Sequence, residues 1–203
     1  MIIIKHRRNT IKSLRTTPNK YGIEVDLRSD PIKKIIYLHH DPFKKGVRLS
    51  KWIKFYNHKL LILNVKEEGL EKKILSILKK KKITNFFFHD QTYSSMLKFM
   101  KITKVSIRWS AYEEIKKKNY LFKYIKWLWI DNFKYIKIPV NFYNFLKKKR
   151  VKICLVSPEL VKKKRLFEIK KIISYFYKEN LFPDAICTKK PDLWLKNLQN
   201  NNL

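Results

Sequence analysis

A chain of 203 residues, 45% apolar and 14% aromatic, can bury one substantial core and is too apolar to stay disordered. Its formal charge of +32 invites a nucleic-acid reading, but lysine greatly outnumbers arginine, and Ile, Asn, Phe and Tyr abound. That is the drift of an AT-rich genome and not a supply of arginine forks. No apolar run approaches the ~18 residues of a membrane span, and MIIIKHRR has too short an apolar run for a signal peptide.

A cytoplasmic location is therefore expected, with Cys154 and Cys187 as reduced core thiols. Nucleic acid is not the expected partner; weak attraction to anionic membranes or anionic substrates is. The lysine-rich runs 79–82 and 147–150 fall at predicted helix C-termini, where cations complement the helix dipole.

In chain order, residues 2–6 form the first predicted strand and lead into His6-Arg7. Asn9 reads as the cap of a short helix, 10–16, that stops before Pro18. Over 22–28, Glu24, Asp26 and Arg28 alternate with Ile23, Val25 and Leu27, a period of two. Side chains two apart on a strand share a face, with Cα atoms roughly 6.5 Å apart, so Glu24 and Asp26 can chelate a hard cation from one side. After Ser29-Asp30-Pro31 an extension, 34–39, ends in His39-His40-Asp41-Pro42. A short amphipathic helix covers 49–56, and a third strand, 59–66, turns Ile62, Asn64 and Lys66 inward.

The alternation continues with a helix at 70–81, a strand at 85–89 ending in Asp90-Gln91, and a helix at 94–100. A strand at 104–109 carries Ser106 and Arg108, and 112–124 reads as a helix. Then come a strand at 126–130 ending in Asp131, a helix at 141–149, a strand at 151–156 and a helix at 165–180. A strand at 185–188 and a helix at 192–198 lead into the polar tail 199–203.

Eight strands alternating with helices imply a parallel sheet, and eight βα units imply an α/β fold of the (β/α)8 TIM-barrel type. At this length it is a minimal barrel, one domain over 1–203. Catalytic groups in that fold come from the C-terminal ends of strands. His6 and Arg7, Glu24 and Asp26, Asn64 and Lys66, Asp90, Arg108 and Asp131 all sit at or near such ends. A base, an acid, a phosphate clamp and a metal holder are the parts of metal-assisted phosphoryl chemistry.

At His6-Arg7, Glu24-x-Asp26 and His40-Asp41 the sequence resembles the glycerophosphodiester phosphodiesterase family, within the barrel superfamily of phosphatidylinositol-specific phospholipases C. Residues 61–66 (LILNVK) look like that family's third strand, which normally carries Glu-x-Lys, and 184–191 (DAICTKKP) look like its last strand with a Thr-x-x-Pro close. The chain departs from the pattern where Arg8 replaces a glycine and where an Arg-Thr-Thr stretch after His-Asp is missing. Asn64 stands at the third metal carboxylate; Glu67 or Glu68 is the candidate substitute.

The resemblance implies a phosphoric diester hydrolase acting on a glycerophosphodiester or a related lipid-derived or glycan-linked phosphodiester. It assigns acid–base work to His6 and His40, with His39 turned to the other face. Arg7 clamps the phosphate, and Lys66 and Arg108 contact the anionic substrate or instead pair with Asp90 or Asp131. Glu24, Asp26 and Asn64 hold Mg2+ or Ca2+. His58 and His89 are read as structural. Two competing readings are a barrel that binds phosphodiesters or anionic headgroups with impaired turnover, and a basic nucleic-acid-binding protein.

Overall fold

The computed structural model describes residues 1–115, 120–134 and 137–200. In chain order its elements are β1 (Ile2–Lys5), α1 (Ile11–Arg15), β2 (Gly22–Asp30), β3 (Ile35–Leu38), β4 (Val47–Arg48), α2 (Leu49–Trp52), β5 (Leu61–Val65), α3 (Glu71–Lys80) and β6 (Phe86–His89). There follow α4 (Tyr93–Phe99), β7 (Ser106–Trp109), β8 (Trp127–Ile130), α5 (Val140–Lys148), β9 (Lys152–Val156), α6 (Glu168–Glu179), β10 (Ala185–Thr188) and α7 (Pro191–Asn200). The chain forms two compact groups, residues 5–106 and residues 1–4 with 107–203.

In the 5–106 group, β2, β5 and β6 run parallel in that order. All five residues of β5 and all four of β6 are buried, the near-continuous apolar run of a strand covered on both faces. β2 is two residues longer than its alternation predicts, because its end pairs antiparallel with β3, and β3 in turn with β4. That hairpin needs Gly46: a Cβ there would lie 1.8 Å from the Leu38 carbonyl oxygen. α3 buries Ile74 and Leu78, one turn apart, and ends in Lys79 and Lys80 against its dipole.

Two local expectations change here. α1 is capped by Thr10, in a capping box with Ser13, and not by Asn9, whose amide is committed to β2. The 49–56 helix is one α turn that tightens to a 3-10 turn at Ile53–Phe55 as the fully buried Trp52 donates its indole N–H to the Arg8 carbonyl at 2.9 Å.

In the other group, β8, β9 and β10 are parallel, and Ile2 of β1 donates its N–H to the Asp184 carbonyl at 2.8 Å. Cys154 on β9 and Cys187 on β10 are buried. α6 buries Ile169, Ile172, Ile173 and Phe176, and Trp194 of α7 donates to the Ser157 hydroxyl at 2.8 Å.

The stretch expected as a helix at 112–124 instead has a turn, where Ser110 Oγ takes the Tyr112 N–H and donates to Glu113 at 2.8 Å, and a 3-10 turn at Tyr120–Lys123. A side chain that bonds its own backbone competes with helix initiation. Residues 116–119 of that stretch, and 201–203 of the predicted tail, lie outside the described residues. The 165–180 helix starts at Glu168, behind a 3-10 turn in which Arg165 grips Glu168 and the Phe133 carbonyl.

Candidate active site

The parallel register of β2 on β5 sets Asp26 beside Asn64. The period of two puts Glu24 on the same face as Asp26, and all three side chains are buried. Glu24 Oε2 accepts the Arg7 backbone N–H at 2.7 Å and lies 3.8 Å from His6 Nε2. Glu24 Oε1 accepts the Asn64 amide at 3.0 Å. Asp26 Oδ2 accepts the Asn9 amide at 2.8 Å and lies 3.8 Å from Arg7 Nε; its Oδ1 lies 3.8 Å from Lys66 Nζ. Lys66 also donates to Asp90 at 2.7 Å.

Two residues bend the backbone around this centre. Arg7 has φ 52° and Asp90 has φ 61°, left-handed conformations that cost a non-glycine residue about 1 kcal/mol or more. The bend at Arg7 turns its N–H onto Glu24 while leaving the guanidinium beside Asp26.

The electrostatics follow from burial. Burial raises the pKa of Glu24 above the usual carboxylate range, against the opposing pull of the Arg7 N–H, the Asn64 amide, Lys66 and the Arg7 charge. Burial also raises Asp26, and the neighbouring Glu24 charge adds to it, against Asn9, Lys66 and Arg7. Two adjacent carboxylates out of water call for a cation or a shared proton.

His40 is half-exposed, with Nδ1 2.9 Å from Asp41 Oδ1. Its carbonyl accepts from Arg28 Nε and Nη2 at 3.1 and 3.0 Å, and Arg28 Nη1 pairs with Glu67 at 3.3 Å. Arg28 continues the Glu24–Asp26 face of β2, so one strand carries the acidic pair and the clamp on the His40 loop. His39 turns to its own loop, where Nδ1 accepts the Asp41 N–H at 3.0 Å. His58 bonds the Thr17 carbonyl and His89 the Ser106 hydroxyl.

The structure thus gathers His6, Arg7, Glu24, Asp26, Asn64 and Lys66 around one acidic centre and ties the loop bearing His40 to the same strand. Arg108 belongs to the other group, where its Nε meets Asp131 at 2.9 Å and its Nη1 lies 3.8 Å from Glu113. Glu67 and Glu68 are committed elsewhere: Glu67 to Arg28 and Ser29, and Glu68 to Thr92 and Ser94. Sequence reasoning missed Asn9, which also accepts the Asp26 N–H at 2.9 Å, and gave Arg28 no role.

The donor set fits a divalent cation. Among the described residues no cluster of three His, Cys, Asp or Glu side chains forms a metal site. Yet Asp26 Oδ1 and Asn64 Oδ1 are buried oxygens with no hydrogen-bond partner, beside a second carboxylate. Hard oxygens left unsatisfied on adjacent strands are what a hard divalent cation seeks.

No protein-family model matches the sequence, and no curated protein matches it. Solved structures do match. A glycerophosphodiester phosphodiesterase from Parabacteroides distasonis superposes with TM-score 0.74 at 14% identity, covering 100% of this chain and 98% of that one. One from Agrobacterium tumefaciens gives 0.69 at 12%, covering 98% and 99%. A phosphodiesterase from Oleispira antarctica, in complex with the product sn-glycerol-3-phosphate, gives 0.66 at 16%, covering 98% and 97%. Over its whole length the chain has the α/β, (β/α)8 barrel fold of the glycerophosphodiester phosphodiesterase structures.

Proposed function

We propose that this protein is a phosphoric diester hydrolase acting on glycerophosphodiesters. The observation that carries the reading is the buried Glu24–Asp26 pair with His6, Arg7 and Lys66 each within 3.8 Å of one of its oxygens. Such a centre binds an anion and moves protons beside it. Glu24, Asp26 and the Asn64 carbonyl oxygen would hold Mg2+ or Ca2+, which when bound neutralises charge developing on the phosphoryl oxygens. Arg7 presents a guanidinium to the phosphate. Lys66, anchored on Asp90, brings a second cation.

His40 donates its Nδ1–H to Asp41, which leaves Nε2 to exchange protons. One of His6 and His40 takes the proton of the glycerol hydroxyl that attacks phosphorus, and the other protonates the departing alcohol. Water then opens the cyclic phosphodiester with the two roles reversed. The product is a glycerol phosphate, the kind of molecule bound in the Oleispira antarctica structure. A pocket of about 180 Å³ beside Lys66 and Asp90 offers room for one small alcohol arm.

Asn64 supports a second reading, a barrel that binds phosphodiesters without turning them over, because its neutral amide occupies an oxygen of Glu24. The test is hydrolysis of a glycerophosphodiester panel with divalent metal and with chelator, beside His6→Ala. Metal-dependent turnover that disappears in the variant establishes the chemistry. A folded protein that binds a glycerophosphodiester and hydrolyses none establishes the second reading.

A further inference from the structure

The hairpin at the end of β2 breaks the ordinary rule for a water-facing surface. Ile32, in the β2–β3 turn, is 89% exposed, and Phe43, between β3 and β4, is 102% exposed. These are the two most exposed large apolar side chains among the described residues. Phe43 also has φ 59°, a left-handed conformation that bulky side chains avoid. Packing explains neither residue, since neither buries itself by folding. Both line one open cleft of about 600 Å³ with Pro31, Tyr37 and Pro42.

Cations ring this apolar edge. Lys33 and Lys34 follow Ile32, and Lys44 and Lys45 follow Phe43. The nearby acids are engaged: Asp30 accepts the Lys33 backbone N–H, and Asp41 takes His40 and Lys44. The Lys34 carbonyl accepts a hydrogen bond from Lys73 of α3, so the tip is held to the body of the fold. Apolar tips flanked by lysines suit a shallow entry into a lipid interface, with the lysines on phosphate headgroups. A nucleic acid would use the lysines and have no need of the exposed Ile and Phe.

We propose that this edge docks on anionic phospholipid bilayers, with Ile32 and Phe43 entering the interfacial layer and Lys33, Lys34, Lys44 and Lys45 at the headgroups. β2 carries Glu24 and Asp26 as well, and Arg28 ties its end to His40, so the docked edge and the candidate site are one connected piece. Docking is independent of the proposed chemistry and is measured without turnover.

The test is co-sedimentation of the full chain with phosphatidylcholine vesicles, with and without about one-third phosphatidylserine. Wild type binds the anionic vesicles and leaves the neutral ones. Ile32→Ser with Phe43→Ser weakens binding about tenfold or more, as loss of two inserted side chains requires, with the circular dichroism spectrum unchanged. Changing Lys33, Lys34, Lys44 and Lys45 together to Gln weakens it at least tenfold. The same four-charge removal at Lys79, Lys80, Lys81 and Lys82 has a much smaller effect. Equal losses from the two lysine sets would show net charge alone at work and overturn the proposal. So would indifference to the Ile32 and Phe43 changes, tighter binding of an RNA or DNA oligonucleotide through the same lysines, or a dimer that dissociates when Ile32 and Phe43 are changed.

Discussion

The side-chain amide of Asn64 donates to Oε1 of Glu24 at 3.0 Å across the β2–β5 pair, with both side chains buried. A neutral amide here spares the fold a third carboxylate in one dry site. It steadies Glu24 and leaves its own Oδ1 without a hydrogen bond.

Asn64→Glu therefore acts in opposite directions with and without metal. In chelator a third buried carboxylate destabilises the protein, by about 1–3 kcal/mol. With Mg2+ or Ca2+ that loss is recovered, and calorimetry shows metal binding at least tenfold tighter, as an added charged ligand requires. Unchanged metal affinity would place Asn64 outside the metal's shell.

Glu24→Gln stabilises the metal-free protein while abolishing turnover. Burial raises the Glu24 pKa in the folded state above its ordinary value of 4.5. A carboxyl shifted that way favours folding below its unfolded pKa, and the benefit is lost as pH rises through the folded value. Above that raised value, ionised Glu24 is thus a burden on the fold. Scanning calorimetry in chelator at pH 7 is expected to show a higher melting temperature for the variant than for wild type. The advantage shrinks as pH falls through the raised folded value toward 4.5, because the wild-type carboxyl takes up its proton over that range. A gain that is the same at both pH values contradicts this account.

Arg28→Lys lowers kcat by about 10–100-fold with little change in KM, because a single ammonium cannot place two N–H groups on the His40 carbonyl and a third on Glu67. In the proposed chemistry Arg28 is a positioning residue that acts through His40. The loss in Arg28→Lys combined with His40→Ala therefore matches that of His40→Ala alone. Independent, multiplying losses would detach Arg28 from that role.

Asn9→Ala removes both of its bonds to Asp26, one to the carboxylate and one from the backbone N–H. Urea unfolding is expected to show a loss of about 2 kcal/mol. Thr10→Ala, which strikes the α1 cap, costs about 1 kcal/mol. A larger effect at Thr10 than at Asn9 would restore Asn9 to a capping role.

The barrel was legible because alternation and helical spacing recur unit after unit, and the face of β2 was legible from Glu24-x-Asp26-x-Arg28. What stayed hidden depends on contacts distant in sequence. Asn9 sits 17 residues from Asp26 and looks locally like a helix cap. Glu67 follows β5, and only the fold brings it 39 residues back to Arg28. At the start of the helix expected over 112–124 a turn stands instead, because Ser110 bonds its neighbours, a local competition that apolar spacing does not register. Arg108 reads from sequence as a substrate contact or an ion-pair partner, and the short distance to Asp131 supplies the ion pair.

Three helices of this fold end without the residue that suits such ends. Lys82 after α3, Arg150 after α5 and Asn180 after α6 take left-handed backbone angles of 54°, 55° and 52°, in a chain with only 3 glycines. Glycine adopts that geometry freely, so Lys82 and Arg150 each forgo on the order of 1 kcal/mol. The scaffold therefore holds an untapped reserve at its helix ends. Drawing on it by glycine substitution would firm the fold without touching Glu24 or Asp26, and would leave room for changes at the site that the present chain can ill tolerate.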